Sequence, residues 1–214
     1  MSTFESDQVA AAAPATSRAP SLHGVHHAAR PIWKLADTLH FYGEVMGLEL
    51  IHVITAKGWG RDDHPDFLHL FFDGGNGSAI AFFYYLGSDA PPYWTPDNTL
   101  LTHSVHTAWA ASTRDELLAW RAHFESHGLK VRQVRHEVVE SIYVDDPTGY
   151  MVEVAWQCRP FSAIDRLDAA LTIDAALAAE RAAAGKGERL SAIEPIWRAK
   201  AQAVRTALAT GDSQ

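Results

Sequence analysis

One arrangement of elements occurs twice in this chain, and that repeat restricts its fold more than any other feature. Over residues 22–86 the hydrophobic pattern predicts strand, helix, strand, strand, strand, and over residues 103–157 it predicts the same order again. In the first run LHGVHHAAR reads as a short strand. Leu35, Leu39, Tyr42 and Met46 then recur at helical spacing, with Gly47 as a stop. LELIHVIT, DFLHLFF and SAIAFFYYL follow as strands, the last two joined by the hairpin signal DGGNG at residues 73–77. In the second run HSVHTAWA reads as a strand, and residues 113–127 as a helix with Leu117, Trp120 and Phe124 on one face and Gly128 past its end. LKVRQVRH, VVESIYVD and YMVEVAW complete it, with Asp146-Pro147-Thr148-Gly149 turning the chain before the last strand. The expectation is an α+β fold of two tandem βαβββ modules, 21–87 and 102–158, forming a cupped mixed β-sheet. Pro91, Pro92 and Pro96 mark a linker over 87–101.

The flanks differ in character. Residues 1–20 are rich in Ala, Ser and Pro and are expected to be a disordered tail. Glu5 and Asp7 stand where a secretory signal would carry positive charge. Residues 159–214 are Ala-rich and helical in pattern, broken at Gly185-Lys186-Gly187, with Ile193, Trp197, Val204 and Leu208 as an apolar stripe on the second helix. They are expected to form a C-terminal helical arm that packs on the domain or on a neighbouring subunit.

A net charge of −8 gives no electrostatic footprint for nucleic acid or an anionic membrane, and no apolar run is long enough to span a bilayer. A single cysteine, Cys158, excludes an internal disulfide, so a soluble cytoplasmic protein is expected. Twelve histidines are many for 214 residues and direct attention to metal or proton chemistry.

Strand residues alternate between faces, so single side chains on the first and last strands of a module can point into a cleft. His27 and His106 hold corresponding positions on the two first strands, and Glu153 lies on the last strand of the second module. Two imidazoles and one carboxylate with other positions open is the facial-triad arrangement of non-haem iron(II) oxygenases. His26 beside His27, and His103 near His106, leave the strand register open. Glu153 sits between Val152 and Val154, where a buried carboxylate would need a partner and a solvent-facing one would not.

Residues 134–153, VRHEVVESIYVDDPTGYMVE, resemble the signature of type I extradiol ring-cleavage dioxygenases in the vicinal-oxygen-chelate superfamily, which also holds glyoxalases and bleomycin resistance proteins. His136, Ile142, Tyr143, Asp146, Pro147, Gly149 and Glu153 fall in register. The wider superfamily resemblance covers residues 22–157, including the spacing of His27 to Phe41. It implies a divalent metal held by His27, His106 and Glu153: iron(II), or alternatively manganese, nickel or zinc. It implies that His136 contacts a substrate oxygen and that Tyr143 supports the substrate anion or the oxygen intermediate. Extradiol enzymes carry a further histidine in the first module as a proton relay, and His69 in FLHLFF is the nearest substitute here. Glyoxalase-like members use a glutamate on the last strand of the first module, where this chain has Phe82, Phe83, Tyr84 and Tyr85. These aromatics, with Trp109, are candidates to wall a pocket for a planar ring.

The expected function is therefore iron(II)-dependent cleavage of a catechol-type or hydroquinone-type ring, with a small aromatic diol and dioxygen as substrates and a homo-oligomer as the assembly. A metal-dependent lyase, isomerase or epimerase of the same fold is the alternative, and a non-catalytic binding or resistance protein the second.

Overall fold

Two sheets of identical topology account for the repeat. The computed structural model describes residues 24–58, 64–95 and 99–211, and the chain divides into two units, Met1–Thr95 and Pro96–Gln214. The expected tail at 1–20, the start of the first predicted strand and Pro96 of the expected linker lie outside the described residues.

Unit 1 runs β1 (His27–Ile32), α1 (Leu35–Leu39) continuing as a π-helix over His40–Val45, β2 (Leu50–Ala56), β3 (Phe67–Gly75) and β4 (Ser78–Tyr85). Its sheet order is β1-β4-β3-β2, with β1 parallel to β4 and the other pairs antiparallel. The expected apolar stripe of the helix is shifted. Where Leu35, Leu39, Tyr42 and Met46 were expected, the turns bury Phe41, Tyr42, Val45 and Met46, because the wider π turn closes with Met46 N donating to Phe41 O at 2.8 Å. Tyr42 packs on Phe72 and Phe82 from the helix side of the sheet, with ring centroids 5.9 and 4.5 Å away. Burying each such aromatic stabilises the fold by roughly 1.5–3 kcal/mol.

Unit 2 opens with α2 (Thr99–Ser104), which the sequence pattern did not predict. It occupies residues assigned to the linker and to the start of the fifth strand, so His103 is helical rather than extended. Then follow β5 (His106–Ala111), α3 (Arg114–Ser126), β6 (Arg132–Arg135), β7 (Val139–Asp145) and β8 (Met151–Gln157), in sheet order β5-β8-β7-β6 with β5 parallel to β8. Thr113 caps α3, its side chain accepting from Glu116 N at 3.1 Å. Leu117 and Phe124 of α3 are fully buried on the helix side of the sheet, where the strands contribute Ile142, Val144, Val152 and Val154. Arg114 reaches Glu140 on the same side at 2.9 Å and holds its carboxyl below the usual carboxylate range.

The C-terminal arm consists of α4 (Ala163–Ala184) and α5 (Glu194–Gly211), separated at the expected glycine pair. Ser162 and Asp165 form a capping box at the start of α4. The two helices pack on each other and are joined by Lys200 and Asp168 at 2.7 Å. Trp197, expected on an apolar stripe, is 61% exposed, and Ile193 precedes α5 and is also exposed. Among the described residues no helix is long and apolar enough to cross a membrane.

The β3–β4 hairpin turns on Asn76 and Gly77, with φ of 51° and 76°. Positive φ at both central residues is the type I′ geometry that matches strand twist. A Cβ at Gly77 would meet open space, so Gly77→Ala isolates backbone strain. We expect a loss of about 1–2 kcal/mol in a urea titration, with near-native secondary structure retained.

Candidate active site

Strand register decides which side chains share a face. In unit 2, Ala108 of β5, Glu153 of β8, Tyr143 of β7 and Arg132 of β6 lie side by side across the sheet. They occupy the face opposite α3, and His106, two residues before Ala108, is on it too. His106 Nε2 lies 3.2 Å from Glu153 Oε2. Glu153 is only 8% exposed, so the carboxylate that had to find a partner has found one. Its cross-strand neighbour is Tyr143, on whose phenol it acts electrostatically. His136, in the loop between β6 and β7, places Nε2 3.2 Å from the Tyr143 hydroxyl. Four of the six residues singled out from sequence therefore meet on one sheet face as a chain: His106, Glu153, Tyr143, His136.

The electrostatics of that chain are specific. His106 Nδ1 lies 3.0 Å from the carbonyl oxygen of His103. A carbonyl can only accept, so Nδ1 carries a proton and donates it. Nε2 then faces the carboxylate with either a second proton or a lone pair. A bare lone pair against a carboxylate oxygen is repulsive, so the pair requires a positive charge shared between the two atoms, a proton or a cation. Two donors each about 2.1 Å from one ion and at right angles lie about 3 Å apart. The donor set of unit 2 thus fits two positions of a divalent-metal shell, with the His103 carbonyl as the outer partner that fixes ring orientation. Burial above all, with the charge of Glu153 adding to it, pushes the Tyr143 phenol above its ordinary range, while Ser141 and, more weakly, Arg132 act in the opposite direction. Tyr143 is accordingly a proton-bearing hydrogen-bond donor at neutral pH.

An open hollow of about 540 Å³ lies against this face, lined among others by Ala108, Ala110, Glu153, Ala155, Gln157 and Phe161. Trp109 lines the same hollow, as expected of a pocket wall, although its strand parity is that of Thr107 and Ala111 rather than of Glu153.

In unit 1 the equivalent face carries His27, Ala81, Phe83, His69, Phe71 and His52. His27 pairs with Ala79 as His106 pairs with Met151, so the two histidines correspond. By the same register Ala81 stands where unit 2 has Glu153, and Phe71 where it has Tyr143. Of the four aromatics on β4, Phe83 and Tyr85 share the His27 face, whereas Phe82 and Tyr84 point toward the helix side, which corrects half of the expected wall. His27 Nδ1 lies 2.8 Å from His26 Nδ1.

His69 lies with its ring centroid 6.2 Å from that of His27 and stacks on Phe83 at 3.7 Å. It is 5% exposed, and neither ring nitrogen meets a hydrogen-bond partner among the described residues. Burial, then the neighbouring His27 and His52, lower its pKa. Within neither unit do three or more His, Cys, Asp or Glu side chains of the described residues gather in a metal-binding cluster. Sequence reasoning missed Arg132, His52 and the His103 carbonyl. The first two follow only from strand register, and the third only from α2.

The family model of the Glyoxalase/Bleomycin resistance protein/Dioxygenase superfamily matches residues 24–154. No significant match is found among curated proteins. Among solved structures, a glyoxalase/dioxygenase from Nostoc punctiforme is 20% identical with a TM-score of 0.50, covering 68% of this chain and 99% of that one. A candidate dioxygenase from Bacillus subtilis is 20% identical with a TM-score of 0.50 over 65% of this chain, and this chain spans only 42% of its length. A lactoylglutathione lyase from Agrobacterium tumefaciens is 20% identical with a TM-score of 0.46, covering 64% and 96%. At these identities the likeness is one of fold.

The His69 ring is neutral when folded but takes up a proton when unfolded below about pH 6.5. Its contribution to stability is therefore complete above that pH and is lost as pH falls toward the lowered folded value. In urea titrations at about pH 7.5 and about pH 5.5, the wild-type chain is expected to lose more stability on acidification than His69→Phe. Equal losses would contradict the assignment.

Proposed function

The chain belongs to the glyoxalase/bleomycin resistance protein/dioxygenase superfamily, and we propose that within it this member is an iron(II)-dependent extradiol dioxygenase that opens a catechol-type or hydroquinone-type ring. Both atoms of dioxygen enter the ring-opened product. The observation that carries the reading is the contact of His136 with Tyr143 at 3.2 Å, next to the His106–Glu153 pair. His136 and Tyr143 are the residues that separate the extradiol signature from the wider superfamily, and they stand beside the proposed ligands His106 and Glu153 rather than elsewhere on the sheet.

On this reading His27, His106 and Glu153 hold the metal, which supplies Lewis acidity toward the diol and redox chemistry toward dioxygen. The remaining work falls to the chain. Tyr143 keeps its proton and donates a hydrogen bond where negative charge grows, the arrangement that stabilises a transition state without reorganisation. His136 orients the Tyr143 hydroxyl and shares its proton. His69, a neutral imidazole with unpartnered nitrogens, is a base that needs no prior deprotonation at neutral pH. The alternative of a lyase or isomerase with a glutamate from each module is disfavoured by Ala81 at the position matching Glu153.

Full-length protein loaded anaerobically with iron(II) is expected to consume dioxygen with at least one member of a panel of catechols and hydroquinones. Absence of uptake with every member overturns the proposal. Tyr143→Phe is expected to lower kcat by about 10²–10³-fold with iron content unchanged. Glu153→Gln is expected to weaken metal binding itself, by more than the roughly 10–100-fold that loss of an outer-shell partner costs. Iron analysis alongside turnover separates the two effects.

A further inference from the structure

The function proposed above leaves the substrate class open, and one side chain outside the signature bears on it. Arg132 stands directly across from Tyr143 in the β6–β7 register, on the face that carries His106 and Glu153. Its guanidinium extends over β7 and reaches Met151 Sδ on β8 at 3.3 Å. Met151 in turn pairs with His106. The guanidinium is therefore drawn across the sheet toward the proposed ligands.

Three other arginines of the chain are held by carboxylates. Arg121 and Arg159 meet carboxylates at 3.0 and 2.6 Å, and Arg114 meets Glu140. Among the described residues Arg132 has no carboxylate partner, and its one acceptor is a thioether sulfur, which accepts weakly. A guanidinium offers five donors in a planar fork that matches a carboxylate. The hollow lies along Ala155 and Gln157, on the far side of Glu153 from Met151. Arg132 and the mostly apolar hollow thus flank the His106–Glu153 pair from opposite ends of the strand.

We propose that Arg132 is a specificity-determining residue that takes an anionic substituent, a carboxylate, on the aromatic diol. Its guanidinium is free to close on two oxygens of the substituent while the diol faces the His106–Glu153 pair. This inference rests on the proposed diol substrate but is read out by binding, so it does not depend on turnover.

The test compares 3,4-dihydroxybenzoate with its methyl ester and with 4-methylcatechol, as ligands of the full-length metal-loaded protein, by tryptophan fluorescence or calorimetry. A charge-assisted hydrogen-bonded pair predicts that the wild type binds the carboxylate about 10–100-fold more tightly than the ester. Arg132→Gln is expected to erase that preference while leaving affinity for 4-methylcatechol and the thermal transition near wild type. Arg132→Lys is expected to retain part of it, because a point charge remains without the fork. Equal affinity of the wild type for acid and ester overturns the proposal, as does a preference that survives in Arg132→Gln. Preferential binding of the acid without oxygen uptake leaves the role of Arg132 standing and sinks only ring cleavage.

Discussion

Parallel pairing of the first strand of each unit with its last is the constraint on which the rest of the molecule depends. It aligns His106 with Met151 and Ala108 with Glu153, so a histidine at the start of β5 falls beside a carboxylate two residues into β8. The antiparallel β7–β8 hairpin then sets Tyr143 opposite Glu153. That second register is pinned by the intervening turn. Asp146 is buried and accepts from Thr148 N and Tyr150 N at 2.8 and 2.9 Å, and Gly149 takes φ of 94°. A slip of one residue would send Glu153 to the α3 side, among Ile142 and Val144, where an unpaired carboxylate costs several kcal/mol.

The same pairing operates in unit 1 with different side chains. Ala81 and Phe71 replace the carboxylate and the phenol, while His27 is kept. Unit 1 therefore presents imidazoles in aromatic surroundings and unit 2 presents the anion with its hydrogen-bond donors. Because the strands and registers match, this asymmetry is a matter of sequence at a few positions and not of architecture. His69 shows its physical consequence: stacked on Phe83 and shielded from water, it is held neutral. Near Glu153, by contrast, a positive charge is required beside the carboxylate.

The fold was legible because strand alternation and the Asn76-Gly77 turn are local signals, and because the repeat cross-checked each element against its counterpart. α2 was not legible, since TLLTHS is too short to show a helical period. The π turn was not, since an extra residue in one turn moves the buried stripe to Phe41 and Val45 without changing the composition. The site divides in the same way. His106, Glu153, Tyr143 and His136 were marked by residue type at fixed spacing within one motif. Arg132 was not, because its meaning comes from lying opposite Tyr143 on a neighbouring strand, and pairing across strands is invisible to spacing along the chain.

Charge gives the last constraint. On the proposed ligand set a divalent ion receives one negative charge from the protein, that of Glu153, because the position that could supply a second carboxylate is Ala81. With one carboxylate in the proposed ligand set, a divalent ion there would keep a net positive charge, which would favour a chelating diol in an ionised form and lower the cost of removing its protons. The neighbouring groups act in the same direction. Tyr143 donates rather than withholds a proton, and Arg132, across from it, is left for a charge carried elsewhere on the ligand. A hydrophobic face would have sufficed to bind a neutral aromatic ring. The face opposite α3 instead sets Arg132 on the same surface as His106 and Glu153, which on the proposed reading would suit a ligand carrying more negative charge than the diol alone provides.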